Sequence, residues 1–302
     1  MRIPIALPVA LCIAAGGCDE AVQRRYTPHY GSADLFAVRK TTYSFGVPPV
    51  GTIRSLWNRY SRLISAINGS GAAPPVKLES ALTVEAFDRK IAAVSLDFAI
   101  VDSVKVLMAE QCGYEVIARC GRGDRIRGMV IVGLKSPVRR VADLRGRTIA
   151  FASRDDLAGT MLNKLELLDR GVDVRKRMQA MYVHSAESAL MNVFLGRVDA
   201  AAVAEKDWLE YAAAVPDNAG DLRVLMRTSD LSGPAVMASS SVPEDDAVRL
   251  RRVLAQLGAS ESGRSALKRA RMSGFAAAEG ASYDDVWEFL KQYRAKFGPI
   301  LD

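Results

Sequence analysis

Histidine and cysteine are scarce in this chain of 302 residues, with two of the first and four of the second. One histidine, His29, lies in an aperiodic N-terminal stretch, which leaves His184 alone in the body of the chain. No metal-ligand spacing can be built from that set, and neither a metal nor a cofactor is expected. A Gly-rich phosphate loop is missing, and so is a serine on a recognisable nucleophile turn. The chain therefore does not read as an enzyme. Beyond the N-terminus no segment approaches the run of about 18 apolar residues that marks a membrane span. What is plentiful is what a folded chain needs. The composition is 49% hydrophobic and 25% charged, with 23 Gly and 12 Pro, which excludes a disordered, collagen-like or disulfide-scaffold protein. The length allows two modest domains with real cores.

A charge of +7, from 41 Lys and Arg against 34 Asp and Glu, invites a nucleic-acid partner. Its placement argues against one. The 30 Arg and 11 Lys are scattered in short runs such as Arg139-Arg140, Arg175-Lys176-Arg177 and Arg251-Arg252, without interleaved aromatics. Anionic lipid is the better partner for such charge if the chain is held at a membrane.

The N-terminus supports that. Arg2 is the only charge before Asp19, and an apolar run from Ile3 to Ala15 leads to Gly16-Gly17-Cys18. The run is too short to span a bilayer, which takes about 20 helical residues, and reads as a secretory signal. Ala15-Gly16-Gly17-Cys18 resembles a bacterial lipobox, with Ala where the pattern favours Leu; Cys18 would then become a lipidated N-terminus. Asp19 resembles an inner-membrane retention signal, so the mature chain is expected on the periplasmic side of the cytoplasmic membrane. Loss of residues 1–17 removes Arg2 and lowers the charge from +7 to +6. It also leaves Cys112 and Cys120 as the only unmodified cysteines. An oxidising compartment favours their pairing. Against it, residues 114–119 read as a strand, and about 3.3 Å per residue carries the two beyond disulfide reach.

Residues 18–40 read as the lipidated Cys and a tether. From Thr41 short apolar strands alternate with amphipathic helices, the pattern of an α/β fold. Expected strands include 43–47, 78–82, 98–101, 148–152, 181–183 and 198–203. Segments 115–119 and 128–132 read as a strand pair around the turn 121–124. Expected helices cover about 52–67, 84–92, 157–168, 187–195, 244–257, 261–271 and 283–297. Strand 222–227 is expected to return the chain to a first lobe made of 41–132 and 228–302, with 133–227 forming a second. Ligands of such sheets sit at the carboxyl ends of strands, against helix N-termini.

Several segments resemble the phosphonate/phosphite-binding solute receptors of ABC importers. They are Phe45-Gly46-Val47-Pro48-Pro49, then residues 141–151 (VADLRGRTIAF), then His184-Ser185-Ala186-Glu187 with residues 196–203 (GRVDAAAV), and finally Ser273-Gly274-Phe275 with Tyr283-Asp284. The resemblance implies a type II periplasmic-binding-protein fold, two α/β lobes joined by two hinge crossings. It implies a small-molecule ligand, an ABC permease as partner, a monomer, and no catalysis. The alternative is a sensory lipoprotein presenting ligand to a membrane sensor kinase.

At the family's Ser/Thr-rich anion loop this chain has Ser153-Arg154-Asp155-Asp156-Leu157-Ala158-Gly159-Thr160. Asp155 or Asp156 is able to cap the free N–H groups that an oxyanion would otherwise take. The ligand-binding candidates are Thr52, Asp102, Ser103, Asp155, Asp156, His184, Ser185 and Glu205. That acidic set points to a cationic, zwitterionic or neutral ligand, where the family alone points to a phosphonate-like oxyanion.

Overall fold

A computed structural model describes residues 40–49, 51–121, 125–278 and 283–298. The expected export signal, lipidated Cys18 and tether fall at residues 1–40, all but Lys40 outside the described residues. The chain begins with β1 (Tyr43–Gly46), α1 (Ile53–Gly69), β2 (Val76–Glu79), α2 (Val84–Ala92), β3 (Phe98–Val101), α3 (Ser103–Gln111) and β4 (Tyr114–Cys120). It continues through β5 (Arg125–Gly133), β6 (Thr148–Phe151), a π-turn (Leu157–Leu162), α4 (Asn163–Asp169), α5 (Val174–Arg177) and β7 (Gln179–Tyr182). After these come α6 (Ala186–Phe194), β8 (Ala200–Ala204), α7 (Glu205–Ala214), α8 (Pro216–Gly220) and β9 (Leu222–Ser232). The last part holds β10 (Ala235–Ser239), α9 (Glu244–Gln256), α10 (Glu261–Ala270), β11 (Phe275–Ala277) and α11 (Asp284–Phe297).

Two sheets result. The first has the order β11-β4-β10-β3-β1-β2 and the second β7-β6-β8-β5-β9. Within each, three strands run parallel: β1 beside β2 and β3, and β6 beside β7 and β8. This corrects two expectations. β4 and β5 do not pair with each other; β4 bonds β10 and β11, while β5 bonds β8 and β9. β9 does not return the chain to the first sheet but runs on to Ser232 beside β5, and β10 makes the return. The expected lobe boundaries at 132/133 and 227/228 therefore cut through two strands of the second sheet. The crossings fall instead between Cys120 and Arg125 and between Ser232 and Ala235.

Packing follows from period. On α1 the residues Leu56, Tyr60, Leu63, Ile64 and Ile67 form the buried stripe, while Ile53 and Trp57, apolar and at helical spacing with it, are 72% and 59% exposed. β3 alternates: Phe98 and Ile100 join the cluster under α1, α9 and α10, whereas Ala99 and Val101 join the one under α2, α3 and α11. In β8 all five residues are buried and four are alanine, which lets helices approach both faces. Cys112 and Cys120 are free thiols at opposite ends of β4.

Candidate functional site

The two faces of each sheet decide where its helices go, and so where a crevice opens. In the first sheet, α1 leaves β1 on one face and α3 leaves the neighbouring β3 on the other. In the second, α4 packs beside the face of β6 that carries Ile149 and Phe151, while α7 lies with the opposite face of β8. Each sheet thus has a switch point, between β1 and β3 and between β6 and β8, where the helices leaving adjacent strands part to opposite faces. The first is bordered by Pro48, Pro49, Thr52, Asp102 and Ser103, the second by residues 153–156, Glu205 and Lys206.

The two edges approach one another. The charge of Lys206 acts on Asp102 across the sheets, and Arg271, at the end of α10, pairs with Glu210 of α7 at 3.3 Å. Asp102 holds the N-cap position of α3 with extended backbone, yet its carboxylate makes no capping bond. It is open to solvent while protein surrounds it on most sides, the situation of a group on a concave wall. That desolvation raises its pKa, against the pull of Lys105 and Lys206. Burial likewise raises Asp207 against Lys206, with Asp156 and Glu210 adding to the rise.

The other candidates are committed differently. Thr52 and Ser185 turn their oxygens into their own helices, accepting from Ser55 N at 3.2 Å and Ser188 N at 3.0 Å. Asp156 accepts from the N–H groups of Ala158 and Gly159 at 3.1 and 3.0 Å, so the donors of the anion loop are already taken. Asp155 is exposed and Ser103 is buried at the start of α3. Glu205 heads α7 between Arg127 at 3.6 Å and Arg227 at 3.8 Å. His184 is exposed just beyond β7 with φ of 69°, a left-handed conformation that a non-glycine residue holds only where the surroundings impose it. Asp199 accepts from Thr148 N at 2.9 Å and from Arg147 at 3.2 Å, a structural role away from the switch point.

A buried clip supports the second edge. The Asn163 amide donates to the carbonyls of Ala158 and Gly159, at 3.1 and 3.0 Å, and to Val203 O at 3.4 Å, tying the π-turn to the end of β8. Thr160 Oγ1 closes the loop onto Ser153 O at 2.6 Å. Sequence reasoning passed over Arg127 and Arg227, and took Glu205 but not its neighbour Lys206 as a candidate. The strand-end rule that selected Glu205 applies equally to Lys206, while the two arginines were hidden by the misplaced sheet boundaries.

Two facing switch points on two mixed α/β sheets define the type II periplasmic-binding fold. Residues 45–283 match the family of periplasmic substrate-binding proteins of phosphonate ABC transporters, and the chain belongs to it. Solved structures share the fold at low identity. PhnD1 from Prochlorococcus marinus, in complex with methylphosphonate, is 18% identical with a TM-score of 0.67, covering 83% of this chain and 98% of its own. XAC2383 from Xanthomonas citri, bound to chloride, is 19% identical with a TM-score of 0.66, covering 84% and 98%. The phosphonate-transporter binding protein PA3383 from Pseudomonas aeruginosa is 15% identical with a TM-score of 0.63, covering 84% and 87%. Among curated protein sequences none matches. Members of this family bind small ligands for import with an ABC permease and are not enzymes.

Proposed function

We propose that this chain is an exported, lipid-anchored and monomeric solute receptor whose ligand, held between the two switch points, is a small cation or zwitterion. No catalytic step is assigned to it. The observation that carries the ligand class is Asp156. Its carboxylate occupies the Ala158 and Gly159 N–H groups that would otherwise cradle an oxyanion. A second anion about 4 Å away would meet a repulsion of about 4 kcal/mol at an effective dielectric of about 20, more than one hydrogen bond returns. Arg154 does not supply the missing donor, because it stacks over the Tyr182 ring at 4.5 Å. On the facing edge Asp102 is an uncapped carboxylate suited to an ammonium group. Closure would swing the sheets together about the crossings and bury the ligand.

A thermal-shift screen of phosphite, methylphosphonate, amino acids and simple amines tests this. Stabilisation by amines or zwitterions is expected, and stabilisation by phosphite and methylphosphonate alone overturns it. For the anchor, Cys18→Ala is expected to move the protein from the membrane fraction to the soluble periplasmic fraction.

A further inference from the structure

Beside Asp102 the first switch point opens into a cavity of about 70 Å³ between β1, β3, α2 and α3. Its walls are mostly apolar: Pro48, Pro49, Val84, Phe87, Ile91, Val101 and Met108. The other charged lining groups, Asp88 and Lys105, bond each other at 2.7 Å, and the charge of Lys105 also reaches Asp102. Asp102 is left as the one lining carboxylate without such a pairing, at the edge where apolar wall meets solvent. The cavity is several times the volume of about 10–15 Å³ that a single water needs, room for a short alkyl chain.

We infer that this cavity is a subsite for a short alkyl arm of the ligand, whose ammonium group rests on Asp102. The inference builds on the reading that the ligand is cationic or zwitterionic, and narrows it to amines with a short unbranched substituent. The shape selects the length. Apolar walls reward each methylene withdrawn from water, and the end of the cavity sets the limit. Asp102 fixes the charged end where the walls begin. A dry wall close to the carboxylate strengthens its attraction for ammonium more than bulk water would allow.

Calorimetric titration with methylammonium, propylammonium and hexylammonium chloride tests the subsite on the full mature chain. Affinity is expected to rise roughly fourfold per methylene from methyl to propyl and to fall at hexyl. Val84 lines the cavity from an exposed rim position, so Val84→Phe fills it without disturbing the core. In that variant propylammonium is expected to bind no more tightly than methylammonium. Met108→Ala, which lengthens the cavity, is expected to move the optimum toward hexylammonium. If the amines bind with no dependence on length, or the dependence survives Val84→Phe, the alkyl subsite is wrong while the cationic reading stands. If no amine binds and methylphosphonate does, both are wrong.

Discussion

At the scale of single residues, two aspartates make opposite use of a helix start. Asp156 spends its carboxylate on its own backbone, whereas Asp102, at the N-cap position of α3 in the other sheet, withholds it. Asp156→Ala removes a cap worth about 1 kcal/mol, or roughly 2–4 °C in Tm for a domain of this size. It also frees two N–H donors, so methylphosphonate affinity is expected to rise roughly tenfold or more once the repulsion is gone. Calorimetry on the variant reads both effects. Asp102 carries the reverse trade. Because its folded pKa is raised, its ionised form destabilises the unliganded protein. The stability it contributes is present below the unfolded value of about 4 and lost as pH rises through the raised one. Asp102→Asn is therefore expected to increase the Tm of the unliganded protein at pH 7 while abolishing amine binding. As pH falls, amine affinity of the natural protein is expected to be lost at a pH above the ordinary carboxylate range, where Asp102 takes up its proton.

At the scale of elements, the helices were legible and the sheets were not. The stripes of α1, α2, α9 and α10 repeat at helical spacing, and in the structure Thr52, Thr83 and Ser260 cap three of those helices. Sheet membership depends on partners far along the chain: Gly128 sits opposite Ala204, and Arg125 opposite Ser232. No local pattern encodes such pairing. β10 went unread because its five residues are all buried and show no alternation. The strand ends bearing Asp102, Asp156, His184 and Glu205 could be found, since apolar runs stop there. Which of their oxygens were already bonded could not. One element-level contact is exacting. A Cβ on Gly128 would lie 2.5 Å from Ala158 O and 2.6 Å from Asn163 Nδ2, against the π-turn. Gly128→Ala is expected to cost about 1–3 kcal/mol in a urea unfolding midpoint and to weaken ligand binding, because the turn it displaces borders the site.

At the scale of the whole molecule, the crossings are laced by charge. Arg125 bonds Asp230 at 2.7 Å and Asp285 at 2.6 Å, Arg127 bonds Asp230 at 3.0 Å, and Ser232 N donates to Asp285 at 2.8 Å. Asp285 heads α11, whose far end reaches the second sheet's helices through Lys296 and Asp169 at 2.5 Å. Burial alone would raise Asp285, but the bonds from Ser232 and Val286 and the charge of Arg125 hold it below the usual carboxylate range. Its contribution is thus present above the unfolded pKa and lost as pH falls through the depressed one. Stability measured from pH 6 to pH 3 is expected to decline, and Asp285→Asn to flatten that decline. A variant with the natural slope would show that the lacing contributes nothing.

The place of β10 in the first sheet has a consequence in time. That sheet is interrupted by everything from Arg125 to Ser232, and its late strand lies between β3 and β4, bonded to both. A chain threaded outward from its N-terminus can therefore finish the second sheet, which is contiguous, before the first has its middle strand. Loop closure over so long a separation is slow. Pulse-labelled hydrogen exchange during refolding is expected to protect β5, β8 and β9 before β3 and β4. Until residue 239 has emerged, half the molecule stays unfinished, and a translocation channel would meet a chain still loose enough to pass.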